Sequence, residues 1–286
     1  MPSTTASWAR TVISHGEIPH IFKEFVPEIE PFPYIIYSPP DSWGNRQTNG
    51  KLTCMYQDKI VVLEAMKNKV NEVCYWFKDI NYIEQGTMLL YSWIGIHGSI
   101  EGKLSTSIVE YNAVVVALFN RIVKTMRQVQ LMLDNIGDDR DLSKLEFLHK
   151  SNYKFLNYSH ESILPGEKII GTVYQSDIYE KFLIVFKRTI TLAHLTILTD
   201  KEIIIIKDEE LVEVKREYDF KQGGVWAYIP LHKIINMTIN VNEKKGVLNF
   251  VIFVKEGVIS LLFSSSKQQD LEDLARNFKF VIKFDD

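Results

Sequence analysis

Residues 195–206 read LTILTDKEIIII, and residues 52–63 read LTCMYQDKIVVL. Both stretches begin with Leu-Thr, contain an Asp-Lys pair a few positions later and end in an apolar run typical of a buried strand. The pairs are Asp58-Lys59 and Asp200-Lys201, which lie 142 positions apart. This recurrence predicts that the chain contains the same structural unit twice.

The residues that follow each stretch also correspond. Residues 77–80 (FKDI) match residues 231–234 (LHKI), and a Glu-Gly pair follows in each copy, Glu101-Gly102 and Glu256-Gly257. An alternating strand and an amphipathic helix come next in both. A repeat of about 155 residues is much longer than the roughly 20 to 50 residues of a solenoid repeat, so it indicates two related domains.

Alternation in the last strand of each copy predicts which side chains face the core. In the second copy the expected inward positions lie within residues 259–263. At an offset of 155, the corresponding inward positions of the first copy are Leu104, Thr106 and Ile108. Side chains in a strand alternate between the two faces, so this assignment depends on the register.

The order of strands and helices predicts a mainly β fold with helices, of the α+β class. We expect two tandem barrels, each of about seven antiparallel strands capped by a carboxy-terminal helix. The predicted boundaries are an amino-terminal extension at 1–30, a first domain at 31–135, a linker with a short helix at 136–162, and a second domain at 163–286.

Composition is that of a globular protein, with 46% hydrophobic and 24% charged residues and a formal charge of −3. Such a balance does not favour duplex DNA or an anionic membrane as a partner for the whole surface. No apolar run reaches the roughly 20 residues of a transmembrane helix, and no signal peptide is recognised. We therefore expect a cytoplasmic protein in which Cys54 and Cys74 are thiols.

The helix at the end of the first copy has an apolar stripe from Val115 to Leu133. The stripe is longer than one small barrel needs. We therefore expect Met126, Val129 and Leu133 to contact another domain, the amino-terminal segment or a second subunit; a helix that only leans over its linker is the alternative. Trp43 lies in a polar turn loop and is predicted to be a contact residue.

Aromatic residues are frequent in the first copy. Residues 75–77 (YWF), Tyr91 and Trp93 fall on adjacent predicted strands, so some of them must share a face. They either fill the core or an interdomain contact, or form an exposed face that stacks on a ligand. The amino-acid pattern leaves both alternatives open.

The second copy resembles the bacterial pleckstrin-homology-like domains over about residues 163–281. The resemblance rests on residues 164–169 (LPGEKI), 195–203 (LTILTDKEI) and 229–234 (IPLHKI), then on Glu256-Gly257 and the closing helix. The first copy is similar to this family through the duplication, although WFK replaces Ile-Pro-Leu there. The resemblance implies two nearly orthogonal antiparallel sheets closed by a helix, and a protein that binds phosphoinositides, peptides or proteins without being an enzyme.

Phosphoinositide-binding members of this family carry basic residues around the first hairpin. Lys181, Lys187 and Arg188 lie in that region of the second copy, although Glu180 is beside them and the usual spacing of basic residues is absent. The resemblance thus implies a candidate site for an anionic lipid headgroup or a small anion, with peripheral membrane attachment. Solvated charges at a strand edge are the alternative.

Motifs for catalysis and metal binding are not found in the sequence. The seven histidines show no paired ligand spacing, neither cysteine is in a C-x-x-C motif, and no nucleophile elbow, P-loop or H-E-x-x-H motif occurs. We expect no catalytic residue, no metal and no cofactor. The predicted function is protein–protein interaction or self-association without enzymatic activity, with no nucleic-acid partner; the alternative is an anionic ligand at the first hairpin of the second copy.

Overall fold

The computed structural model describes residues 8–43, 46–67, 69–133, 140–182, 186–208, 223–242 and 246–285. The chain divides into two compact units, Met1–Gln130 and Leu131–Asp286. Strands dominate both units and a few helices accompany them. The prediction of a mainly β chain with helices is therefore confirmed.

Unit 1 begins with a series of short strands. They are β1 (Arg10–Val12), β2 (Tyr34–Ser38), β3 (Asp41–Trp43), β4 (Arg46–Thr48), β5 (Lys51–Met55), β6 (Lys59–Ala65) and β7 (Val70–Trp76). Strands β1, β2, β5, β6 and β7 form an antiparallel sheet in that order, called the first sheet below. The short β3–β4 hairpin is inserted between β2 and β5.

The rest of unit 1 is a second antiparallel meander and a helix. A 3₁₀ turn at Phe77–Asp79 leads into β8 (Ile80–Met88), β9 (Tyr91–Ile100) and β10 (Lys103–Asn112), which pair consecutively. Helix α1 (Val116–Gln130) follows. Because the chain leaves the first sheet at this 3₁₀ turn, β7 and β8 lie in different sheets.

Unit 2 opens with the helices of the predicted linker, α2 (Leu148–Ser151) and α3 (Tyr153–Ser162). The strands are β11 (Ile169–Gln175), β12 (Ile178–Phe182), β13 (Phe186–Thr191), β14 (His194–Thr199), β15 (Glu202–Lys207), β16 (Gly223–Pro230), β17 (Ile234–Asn242), β18 (Val247–Val254) and β19 (Gly257–Ser264). β11, β14, β15 and β16 pair in that order, β12 with β13, and β17 with β18 and β19. Helix α4 (Gln268–Asp285) ends the unit.

The two units repeat one order of elements. In each, a strand and an inserted short hairpin lead to three further paired strands, a 3₁₀ turn, a three-stranded meander and a helix. A backbone hydrogen bond at the 3₁₀ turn also recurs: Phe77 N donates to Asp58 O at 2.9 Å, and Leu231 N donates to Lys201 O at 2.9 Å. The sheets are not closed barrels, so the finer expectation of two barrels does not describe them.

Hairpin register corrects the offset between the copies. Strand β5 pairs Met55 with Ile60, and β14 pairs Leu198 with Ile203. Corresponding residues of the two hairpins therefore differ by 143 positions, one more than the 142 that separate the two Asp-Lys pairs. The two Asp-Lys pairs therefore occupy different positions in their turns. The pairing of the strands, and not the sequence of the turn, sets the register.

The inward positions assigned to β10 are also wrong. Leu104 and Ile108 are 56% and 40% exposed and Thr106 is exposed, whereas Ser107 and Val109 are buried. The offset between the closing strands is therefore 154 rather than 155. A shift of one residue moves every side chain of a strand to the other face, which explains why the whole set was inverted.

The segment expected to be an extension contributes to the core of unit 1. β1 pairs with β2 at the edge of the first sheet. Val12, Ile18, Phe22 and Val26 are buried in one cluster with Leu52 and other residues of the sheet. Burial of apolar side chains in this segment holds it across one face of the sheet, next to the cleft described below.

Helix α1 buries a polar residue where its apolar stripe was expected to continue. Gln130 Nε2 donates to the backbone oxygens of Phe77 and Ile80, both at 3.0 Å. These bonds join the end of α1 to the 3₁₀ turn and to the first residue of β8. The apolar part of the buried face consists of Phe119, Ile122, Val123 and Met126.

Candidate ligand-binding cleft

A cleft of about 640 Å³ lies at the end of the first sheet, beside the turn that joins β5 and β6. One wall comes from residues 25–34, which contain Pro27, Pro31 and Pro33, and the other from residues 55–59. Val61 and Glu72 of the neighbouring strands also line it. This volume lies within the roughly 300–1,000 Å³ range of small-ligand sites. We call it the β5–β6 cleft.

Local sequence explains both walls. Each proline fixes its own φ and lacks a backbone donor, so residues 27–33 cross the sheet end without joining a ladder. Phe25 and Phe32 pack against the buried cluster and anchor this segment at its two ends. The opposite wall is a tight turn in which Tyr56 N donates to Lys59 O at 2.9 Å.

Acidic side chains surround the β5–β6 cleft. Glu30, Asp58 and Glu72 line it and are exposed, and none of them forms an ion pair within the described residues. The one basic side chain in the lining is Lys59. Its ammonium lies 5.3 Å from the centroids of both the Tyr56 and the Trp76 rings, which is cation–π geometry.

The ionisable groups at the cleft respond to these carboxylates. Burial raises the pKa of Tyr56 to about 12, with further contributions from Cys54, Glu72 and Cys74. Burial also raises the pKa of the Cys74 thiol; Lys59 opposes this effect, and Glu72 and Asp58 add to it. The carboxylates therefore make the potential negative at this end of the sheet.

Cys54 and Cys74 lie near the cleft as separate thiols. Both are paired through their strands with Val61, so they sit on opposite sides of β6. Two strand spacings separate their backbones by roughly 10 Å, beyond the reach of a disulfide. Burial raises the pKa of Cys54 to about 12, and Glu72 adds to this effect.

A second cation lies on an aromatic ring of the lining. The guanidinium of Arg121 is 4.3 Å from the centroid of Tyr34, and the Tyr34 hydroxyl donates to Leu118 O at 3.3 Å. Burial raises the pKa of Tyr34 and the Arg121 charge opposes that rise. Helix α1 thus positions one wall residue of the cleft.

The basic residues predicted as an anion site are on the β12–β13 hairpin. Its register places Lys187 opposite Lys181 and Arg188 opposite Glu180. Arg188 is exposed, whereas the side chains of Lys181 and Lys187 lie outside the described residues. Successive positions of a strand face opposite sides, so positions 187 and 188 are on different faces, and position 188 shares its face with an acid.

The residues predicted as contacts have different environments. Met126 is fully buried, whereas Val129 is 45% exposed. Leu133 follows α1 and is half-buried. Trp43 ends strand β3, and its side chain lies outside the described residues. Their roles in association with a partner remain predictions.

The aromatic residues of β7 and β9 divide between core and surface. Tyr75 and Phe77 are buried, whereas Trp76 is 44% exposed beside Lys59. Tyr91 and Trp93 stack with centroids 5.4 Å apart. Tyr75 and Phe77 therefore fill the core, whereas Trp76 lies at the border of the cleft.

His97 forms a separate polar cluster on the outer face of β8, β9 and β10. Its Nε2 is 3.1 Å from Glu84 Oε2, its Nδ1 is 3.1 Å from the Thr106 hydroxyl, and its ring stacks on Tyr82. The carboxylate partner of His97 is thus Glu84. Side chains at neighbouring positions of paired strands stabilise a sheet in this way.

Sequence reasoning missed the β5–β6 cleft. Its lining comes from 25–34, 55–61 and Glu72, which the repeat pattern does not connect. The one local signal was the combination of aromatic residues, prolines and acids in residues 25–34 (FVPEIEPFPY). Prolines interrupt regular helices and strands, and they also present rigid apolar surface to a ligand.

Comparison with known proteins identifies no family. No protein-family model matches the chain, and no curated protein matches it. Among the described helices, none is long and apolar enough to cross a membrane. In the same part of the chain, no group of three or more His, Cys, Asp or Glu residues is arranged to hold a metal ion.

Proposed function

We propose that this chain is a non-enzymatic binding protein built from two pleckstrin-homology-like domains, and that the β5–β6 cleft receives an extended segment of a partner protein. The observation that carries the binding proposal is the cleft itself, a concave site that combines apolar walls with charged groups. A cytoplasmic location is part of the proposal, since the unpaired thiols Cys54 and Cys74 suit a reducing compartment.

The repeated order of elements supports the domain assignment. Both units place a short hairpin after their first meander strand, a 3₁₀ turn between meanders and a helix at the end. The resemblance of the second copy to pleckstrin-homology-like domains therefore extends by analogy to the first. Folds of this kind serve many functions, so the site and not the fold must carry the functional argument.

The walls of the β5–β6 cleft suit a polypeptide segment. Pro31, Phe32, Tyr34 and Tyr56 present rigid rings that lose little conformational entropy on binding. The exposed carboxylates of Glu30, Asp58 and Glu72 offer acceptors for a partner. Aromatic and prolyl surfaces of this type recur in grooves that bind extended peptides.

The test is site-specific photocrosslinking followed by titration. A photoreactive residue replaces exposed Gln57 on the cleft wall and, as a control, exposed Lys150 in α2. The protein crosslinked only from position 57 is then purified and titrated against the parent chain, Tyr56→Ala and Tyr153→Ala. Tyr153 is 62% exposed and lies in unit 2, so it is a matched control.

We expect Tyr56→Ala to weaken binding of the purified partner at least tenfold and Tyr153→Ala to leave it unchanged. Loss of a well-packed aromatic contact costs on the order of 2 kcal/mol at a central interface position. Equal binding by all three chains would contradict the proposal. Light scattering tests whether the occupant is a second copy of the chain. If the parent is a dimer and Tyr56→Ala is a monomer, a second copy occupies the cleft and no other partner is needed.

A further inference from the structure

The turn between β8 and β9 is exposed and apolar. It consists of Leu89 and Leu90, which are both more than half exposed. Ala113 N donates to Leu90 O at 2.8 Å, so Val114, the next residue and also more than half exposed, lies beside the turn. We call Leu89, Leu90 and Val114 the apolar tip. Contiguous exposed apolar groups of this kind mark a contact with a partner or a membrane.

The other turns of the two meanders are charged. Glu101-Gly102 joins β9 to β10, and Lys255-Glu256 joins β18 to β19. Residues 243–246 (EKKG), between β17 and β18, have the place in unit 2 that Leu89-Leu90 has in unit 1. The fold therefore does not require leucine in this turn.

The backbone of the turn also disfavours leucine. Leu89 has a φ of 55°, in the left-handed region that glycine and asparagine adopt at lower cost. In the turn of unit 2 a glycine takes such a conformation, with a φ of 62° at Gly246. An exposed leucine in a strained conformation stabilises neither the turn nor the core, so a contact outside the chain accounts for it.

Polar groups behind the apolar tip are bonded to one another. The hydroxyls of Thr87 and Ser92 are 2.8 Å apart, and the Asn112 side chain accepts from Val114 N at 3.0 Å. Because these groups are already paired, they can leave water without losing hydrogen bonds. The base of the tip is therefore suited to an apolar medium.

Charged residues begin only at a distance from the apolar tip. Residues 85–96 and 111–120 contain none. The first on β10 is Glu110, which is opposite Trp93 and accepts from Lys51 Nζ. Trp93 is three residues from the turn, or roughly 10 Å at about 3.3 Å per residue. The charges thus start at the level of a tryptophan.

We propose that the apolar tip inserts into the interface of a lipid bilayer and attaches unit 1 to a membrane surface. The roughly 10 Å between the turn and Trp93 is close to the depth of about 5–10 Å to which apolar groups of peripheral proteins enter the interface. Trp93 and Tyr91, which stack on each other, then lie at the headgroup level that tryptophan and tyrosine favour. Burial of apolar surface drives the insertion, so neutral lipid is sufficient.

A pocket of a partner protein fits these observations less well. Protein contacts surround an apolar centre with polar groups that bond to the partner, whereas the hydroxyls of Thr87 and Ser92 already bond to each other. The lining of the β5–β6 cleft includes no residue of the apolar tip. The inference is therefore independent of the proposed function, and either can fail without the other.

The test is sedimentation of the full chain with phosphatidylcholine vesicles, and with vesicles that also contain phosphatidylglycerol, at low and high salt. The variant Leu89→Asn with Leu90→Asn removes the leucines of the turn, and asparagine tolerates a positive φ. The control Leu104→Asn with Val258→Asn removes two other side chains of residues that are more than half exposed. Circular dichroism checks that each variant is folded.

We expect the parent to bind both kinds of vesicle with similar affinity and salt to change this affinity little. The variant of the turn should bind at least about tenfold more weakly, because two leucine side chains no longer leave water. The control should bind like the parent. The fluorescence of Trp93, isolated as the difference between the parent and Trp93→Phe, should shift to shorter wavelength on phosphatidylcholine vesicles.

Three results would overturn the inference. The first is a parent chain that does not sediment with either kind of vesicle, which would leave a partner protein as the receptor of the apolar tip. The second is an equal loss of binding in the variant of the turn and in the control, or a Trp93 fluorescence that vesicles do not change. The third is binding that requires phosphatidylglycerol and disappears in high salt, because a contact driven by charge would then replace insertion.

Discussion

Acid should selectively destabilise unit 2 through His194. This side chain is 2% exposed at the start of β14. Its Nδ1 lies 2.9 Å from Leu192 O, and its Nε2 has no hydrogen-bond partner among the described residues. Burial lowers the pKa of His194 to about 4; the bond to Leu192 opposes the change and Lys207 adds to it. The neutral ring is therefore the form that the folded unit holds.

The sign and size follow from this pKa. Above about pH 6.5, the ordinary pKa of histidine, the ring is neutral in both states and stability does not depend on it. Between pH 6.5 and about 4 only the unfolded state binds the proton, so the free energy of unfolding decreases as the pH is lowered. At about 1.4 kcal/mol for each pKa unit, the loss is about 3 kcal/mol.

Hydrogen exchange of β14 and β15 between pH 7 and 4 measures this loss within unit 2. We expect His194→Leu, which keeps an apolar side chain against Phe263, to lose about 3 kcal/mol less than the parent over that range. The control His149→Leu changes an exposed histidine of α2 and should follow the parent. If the stability difference between the parent and His194→Leu were the same at both pH values, the reasoning would be refuted.

Three further outcomes are expected. Phe22→Ala should destabilise unit 1 by about 3–5 kcal/mol in denaturant unfolding, because Phe22 is buried. The control Ile21→Ala changes the half-exposed neighbouring residue and should cost about 1 kcal/mol. Equal costs would mean that the amino-terminal segment is not part of the core. Glu167→Gln should cost unit 2 about 1–3 kcal/mol, because a buried carboxylate loses a bond to a backbone N–H, and an unchanged melting temperature would contradict this. If positions 187 and 188 bind anionic lipid, reversing the charges of Lys187 and Arg188 should abolish vesicle sedimentation while leaving the melting temperature nearly unchanged; no vesicle binding by the parent would remove that hypothesis.

The repeated hairpins show what local sequence predicts well. Apolar runs on both sides of a turn form adjacent strands in both copies, so residues 52–63 and 195–206 were recognised without any tertiary information. Helix α1 was recognised for the same reason, from its helical spacing of apolar residues. Offsets of one residue between the copies are not visible in the sequence, because a turn can shift by one residue without changing the apolar pattern.

Two buried polar residues have roles that an apolar pattern does not reveal. Gln130 takes the buried position that an apolar residue was expected to fill, because its amide donates to two carbonyls of a distant turn. Glu167, part of the LPGE motif, is buried because it accepts from Leu164 N at 2.6 Å and from the Thr199 hydroxyl at 2.9 Å. A pattern that counts only apolar residues cannot reveal either role.

The sequence by itself determined the duplication, the mainly β class and the positions of the main strands and helices, because these depend on periodicity and turn residues within short windows. The tertiary structure alone decided which face of β10 is buried, where the amino-terminal segment packs and that a cleft exists. Glu30, Asp58 and Glu72 are distant along the chain and become neighbours of one cavity only through strand pairing and the crossing of the proline-rich segment. Their position around one cleft is a property of that packing.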